Sequence, residues 1–216
     1  MIFDKKQVLW YNLGMNQLQM FQFQNPDMPT LDISRCKASP IGYETASNMV
    51  RTYHYAHRVP SIVISLGMYV DGVLAGCITY GIPPSPNVQR CCGEQYRKNA
   101  LELNRLFIHD WAGRNSESWL VGQSFKYLKR HYPNYFILIS YADTGEGHTG
   151  YVYQVTNWLY TGLHAKERCA GVKLKDGSVI HPKHLVNMFG TRSVATIKKN
   201  LGNRFSAIIP GTEKHR

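Results

Sequence analysis

The stretch YFILISYADTGEGHTGYVYQVTNWLY at residues 135–160 decides how the chain folds. Its opening, YFILISYAD, is almost wholly apolar and predicts a central strand over 135–143 buried on both faces. TGEGHTG, with glycines at 145, 147 and 150, predicts a sharp turn that lets backbone approach a ligand. Residues 151–160 read as a helix closed by Gly162. On it Tyr153, Asn157 and Tyr160 share one stripe, while Tyr151, Val155, Trp158 and Leu159 face the core. Asp143 therefore leaves the end of a buried strand, where open α/β sheets place their ligands. Such a carboxylate beside a tyrosine stripe suits a base that is stacked on and hydrogen-bonded at its edge. The plainer alternative is a half-buried helix with tyrosines at its rim.

Upstream the same alternation of elements continues. Tyr43, Ala46, Met49, Val50, Tyr53 and His57 recur at steps of three and four, predicting an amphipathic helix over 42–57 that Pro60 stops. SIVISLGMYVDGVLAGCITYG predicts a hairpin turning at Asp71-Gly72. LELNRLFIHD predicts a strand with Leu101, Leu103, Arg105 and Phe107 on one face, against Glu102, Asn104, Leu106 and Ile108. A helix follows, capped by Asn115 or Ser116, with Leu120, Val121, Phe125 and Leu128 inward and Pro133 ending it. The sum is an α/β fold: a central mixed sheet with flanking helices, in the element order of the acyl-CoA-dependent N-acetyltransferases (GNAT). Residues 1–40, rich in Gln and Met and broken by prolines, read as an N-terminal arm, and 41–163 as the catalytic core.

Residues 164–216 form a basic extension. VKLKDGSVIHP predicts a hairpin at Asp176-Gly177, and two short helices, 183–189 and 193–201, flank Gly190. The chain of 216 residues has a net charge of +11. Positions 164–216 hold 11 basic and 3 acidic residues, against 14 and 11 in the preceding 163. Such concentration is the footprint of a polyanion-binding surface, with Lys183, Arg192, Lys198, Lys199 and Arg204 as candidate phosphate contacts on a nucleic acid. A solvated face and simple helix packing are the bland readings. At 44% hydrophobic and 18% charged the chain is globular. It has no run of eighteen apolar residues and its start, MIFDKKQVLWYNLG, has no signal-peptide layout, so an intracellular protein without a membrane partner is expected. Five cysteines without a CxxC pair exclude a zinc ribbon.

Two further sites carry chemistry. In GNAT enzymes the turn before the helix that follows the fourth strand offers N–H groups to a pyrophosphate. Here that turn is GRNSES, lacking the usual RxxGxG/A, although Gly113, Arg114, Ser116 and Ser118 are able to hold an anion. A capped surface helix explains the same residues. In TYHYAHRVP, His54 and His57 lie a turn apart around Tyr55, so the pair plus Asp143 forms a candidate Fe(II) or Zn(II) site, or a structural histidine pair. Neither an FxGxG opening nor a D/N-P-P-Y/F tetrad occurs, which excludes an S-adenosylmethionine methyltransferase.

CITYGIPPSP, LELNRLFI, NSES, ISYADTGEGHTGYVYQVTNWLYTG and HPKHLVNMFGTRS…KHR together resemble the Mom family, DNA-modification proteins of bacteriophage Mu and its relatives. The likeness spans roughly 40–216. It implies a GNAT-like enzyme that converts adenine N6 in duplex DNA to carbamoylmethyl (acetamido) adenine in the host cytoplasm, shielding phage DNA from restriction. It also implies Arg105, Ser118, Asp143 and Tyr153 as catalytic residues, Arg105 and Ser118 also holding the donor, and bound iron, with His54, Tyr55, Asp143 and Tyr153 as candidate ligands. The donor stays open between acetyl-CoA, a glycine derivative and an aminoacyl-tRNA, and monomer and dimer both stay open. The rival readings are a conventional N-acetyltransferase, which has no need of a basic tail, and a non-enzymatic DNA-binding protein, which leaves the SYADTGEGH turn idle.

Overall fold

A computed structural model describes residues 28–164, 169–191 and 193–216. Five strands form the main sheet in the order β1-β2-β3-β4-β5: β1 is Cys36–Pro40, β2 Ile64–Val70, β3 Val73–Gly81, β4 Ala100–Ile108 and β5 Ile137–Ser140. The first four pair antiparallel, and β5 joins β4 in parallel. Between β1 and β2 runs α1 (Tyr43–Tyr53), between β3 and β4 the one-turn α2 (Pro86–Gln89), and between β4 and β5 the long α3 (Ser116–His131). This is a mixed α/β fold with a helix on each sheet face. On one face Leu120, Val121 and Leu128 of α3 pack on Leu66, Met68, Ile78 and Leu101. On the other, Met49 and Val50 of α1 cover Cys77, with Phe107 against them. Tyr80 hydroxyl and Ser124 Oγ meet at 2.6 Å, satisfying both where neither reaches water.

The Asp71-Gly72 hairpin forms as expected. Both residues have positive φ, 49° and 81°, matching the twist of β2 and β3. Several other expectations are corrected. Residues 36–40, assigned to the arm, are edge strand β1, and only 28–35 of the arm before it fall among the described residues. Helix α1 stops at Tyr53, because His54 turns extended at ψ 135° and His57 takes φ 44°. The apolar run 135–143 is not one central strand. Among the described residues β5 pairs with β4 alone, and Ala142–Asp143 (β6) belongs to another sheet.

The strict alternation expected along LELNRLFI also fails, for a physical reason. Leu103 faces Tyr80 and Arg105 faces Thr79, so Asn104 is an extra residue, a β-bulge. Leu101 and Leu103 point to the α3 side, and beyond the bulge Leu106 and Ile108 take over that side. Phe107 passes to the α1 side, and Arg105, two residues before it, goes with it. Beyond Leu103 and Ser140 the parallel pair ends, and β4 continues to Ile108 paired with β3.

The helix expected over 151–160 is the short α4, Tyr151–Val155, ended by Thr156 and a positive φ of 64° at Asn157. β7 is Leu163–His164. The extension then builds a second sheet, β10-β8-β9, from β8 Gly171–Leu174, β9 Val179–Ile180 and β10 Phe205–Ile209. The two helices expected here form, as α5 (Pro182–Phe189) and α6 (Val194–Leu201). Leu185, Ile197 and Leu201 pack on Val172 and Leu174, a core separate from that of the main sheet. Finally β11 (Lys214–His215) returns to lie between β6 and β7.

Candidate functional site

Asp143 sits at the end of β6 and caps the turn after it, where its Oδ1 accepts from Gly145 N–H at 3.0 Å. The same oxygen accepts from Thr212 Oγ1 at 2.5 Å, and Oδ2 lies 3.3 Å from Lys214 Nζ. Burial would raise this carboxyl, but the Thr212 and Gly145 hydrogen bonds and the Lys214 ammonium outweigh it. The result is a pKa below the ordinary carboxylate value. Asp143 is thus an anchored, ionised carboxylate whose side chain is 18% exposed.

Around it stand the other residues that the resemblance implies. The Tyr55 ring, 46% exposed, lies 4.2 Å from that of His54 and edge-on to His148 at 5.1 Å. Burial first, then Asp143, raises the Tyr55 pKa, while Arg105 acts against them. Arg105, brought over by the bulge, donates through Nε and one terminal nitrogen to Arg58 O at 3.2 and 3.0 Å. Among the described residues no carboxylate lies within ion-pair distance of its guanidinium. The site therefore holds a half-buried cation with charge to spare.

Tyr153 is placed differently from expectation. It packs against the core with its ring 5.3 Å from Trp158, and its hydroxyl hydrogen-bonds with Ser140. Leu159 is 85% exposed and Val155 also faces solvent, so the proposed stripe is overturned. The cause is the shortness of α4: with helical periodicity gone after Thr156, spacing no longer sets the face. The exposed rings of the site are Tyr55 and His148 instead.

The expected metal set does not fit as arranged. His54 Nδ1 accepts from Ala56 N–H at 3.1 Å, Asp143 is held through both oxygens, and the Tyr153 hydroxyl is occupied by Ser140. Among the described residues no three His, Cys, Asp or Glu side chains are grouped to hold an ion. The pyrophosphate turn is likewise filled by the chain itself. Arg114 N–H donates to Pro29 O at 2.8 Å, and a Cβ on Gly113 would lie 2.7 Å from that oxygen. Arg114 reaches Thr30, while Ser116 and Ser118 donate to Gly113 O and Asn115 O inside their own turn. The Arg114 N–H and both serine hydroxyls of this turn are thus engaged by the chain itself.

Sequence reasoning missed Thr212 and Lys214, because they stand 69 and more residues from Asp143 with no local pattern to mark them. It also missed Glu102, half-buried on β4 with Arg105 and Lys214 as charged neighbours, where burial raises its pKa. In the extension Lys183, Lys198, Lys199 and Arg204 are exposed, with Lys198 over the Phe205 ring at 5.2 Å. Arg192 lies outside the described residues. No helix among the described residues is long and apolar enough to cross a membrane.

Comparison with known proteins agrees with the family resemblance. A family model described as the Mom protein family matches residues 35–216. The methylcarbamoylase mom of Escherichia phage Mu is 33% identical over 121 residues, 55% of this chain and 50% of the relative. The matched stretch thus spans about half the length of that curated relative.

Proposed function

The chain belongs to the Mom protein family, and on that premise we propose that it modifies adenine N6 in double-stranded DNA to carbamoylmethyl adenine. It acts in the host cytoplasm and shields phage DNA from restriction. The observation that carries this reading is that the exposed Tyr55 ring lies within electrostatic reach of both Asp143, at the end of β6, and Arg105, which the bulge carries to the α1 side. A GNAT-like core is supported by the parallel β4–β5 pair, its parting after Leu103, and the bulge at Asn104.

N6 lies inside the duplex, so the base is flipped out at a cost of a few kcal/mol. Tyr55, with His148 against it, offers the stacking face that Tyr153 does not. The lone pair of N6 is delocalised into the purine ring, which makes it a weak nucleophile. As the new N–C bond forms, the bond between that carbon and the donor's leaving group breaks, and its electron pair departs with the leaving group. N6 loses a proton to the Asp143 carboxylate, which its Thr212, Gly145 and Lys214 partners keep ionised. Arg105 holds the negative charge that develops on the departing group. The exposed cations of the extension, residues 164–216, hold the phosphates.

The test is nucleoside mass spectrometry of plasmid DNA made with and without the protein. Modified adenosine appears with the wild type. It is absent with Asp143→Asn, while DNA affinity stays within about threefold, because the phosphate backbone dominates affinity. Modification by the Asp143→Asn protein would refute the assignment of this residue.

A further inference from the structure

We propose that Thr212 and Lys214 are positioning residues that fix the working orientation of the Asp143 carboxylate; this rests on the role given to Asp143 above. Lys214 pairs with Asp143 across β11 and β6, and with His164 on the opposite edge, so its backbone is tied on both sides. Thr144 clamps the approach to that strand, donating from N–H and Oγ1 to Glu213 O at 3.1 and 2.8 Å.

From this frame each carboxylate oxygen receives a different partner. Oδ1 accepts two hydrogen bonds, from Thr212 Oγ1 and Gly145 N–H, which fill its lone pairs. Oδ2 faces Lys214 Nζ, on a side chain 47% exposed. The carboxylate is thereby locked about its Cβ–Cγ bond, with Oδ1 filled and Oδ2 turned to the partly exposed Lys214 ammonium. The fit around Thr212 is close: a Cβ on residue 145 would lie 2.2 Å from Thr212 Cγ2, so glycine there makes room for it.

The placement has a second consequence for the reading above. β10 closes the sheet of the basic extension, and the chain passes from it through Pro210 and Gly211 to Thr212. The segment that grips phosphates is thus continuous with the one that orients the acid.

Four variants test this, scored by modified adenosine in plasmid DNA over a time course, DNA affinity and thermal melting. Thr212→Val removes the hydroxyl at constant shape, and Thr212→Ser restores it. Lys214→Met removes the ammonium, and Lys214→Arg keeps the charge. Thr212→Val should slow modification by about tenfold to a hundredfold, the scale of a misplaced catalytic group. Its melting temperature and DNA affinity should stay unchanged, and Thr212→Ser should recover most of the rate. Modification at the wild-type rate by Thr212→Val, or an equal loss in Thr212→Ser, would overturn the proposal. Should Thr212→Val melt early, the Lys214 pair decides: loss in Lys214→Met with recovery in Lys214→Arg supports it, and full activity in Lys214→Met overturns it. Activity in Asp143→Asn refutes the function assigned to that carboxylate. Inactivity there combined with full activity in Thr212→Val refutes only the positioning role.

Discussion

His54 is 5% exposed, with Nδ1 already accepting the Ala56 N–H. Burial, with Arg105, His148 and His57 adding to it, pushes its pKa down from 6.5 to about 4. Between those values an unfolded chain binds a proton that the folded chain refuses. Stability therefore rises with pH across this window and falls as pH drops from 6.5 towards 4. At ~1.4 kcal/mol per unit, the loss at the low end reaches about 3 kcal/mol. Urea unfolding from pH 7 to 4.5 should show this slope in the wild type and a shallower one in His54→Gln. Equal slopes would mean that His54 takes up its proton while folded. At this scale Asp143 was legible, because a carboxylate ending an apolar run stands out. Thr212 was not, since nothing in PGTEKHR marks its partner 69 residues away.

The bulge in β4 decides where a charge goes. Asn104 accepts from Thr79 Oγ1 at 2.6 Å and donates to Ser61 O at 3.0 Å, so the extra residue is bonded into place. Deleting Asn104 would remove the bulge and leave Arg105 and Phe107 on the α1 side, because Leu103, Arg105, Leu106 and Phe107 would then simply alternate. The deletion should lower the melting temperature, since the Thr79 and Ser61 hydrogen bonds go with Asn104, while modification persists. Loss of modification in a folded deletion variant would show that the bulge does more than carry Arg105 across. LELNRLFI reads as a regular strand because its apolar residues suit either register, and nothing local reveals the insertion. Helix α4 reads too long for a similar reason: Tyr, Val, Trp and Leu fit helix and loop alike, and one left-handed residue at Asn157 ends the periodicity. The Asp71-Gly72 hairpin was legible because its residues carry their own backbone preference.

Among the described residues of the molecule, three hydrophobic clusters form. One lies between the main sheet and α3, one under α1, and one under α5 and α6, which carry several of the extension's exposed cations. Lys198→Glu with Lys199→Glu should weaken DNA binding. The slope of log affinity against log salt should shrink by about 0.9 for each phosphate that is no longer neutralised. Titrations at several salt concentrations measure it, and an unchanged slope would remove α6 from the interface. The unequal charge of the two parts was plain in composition. That the extension sends a strand back between β6 and β7 was not, because a two-residue strand has no periodicity to read. That strand also sets an order on synthesis. While the chain is being translated, the acid leaves the ribosome long before the threonine and lysine that hold it. On the proposed reading a half-made protein tethered near nucleic acid is chemically silent, and competence arrives only when the distant β11 segment has emerged and docked.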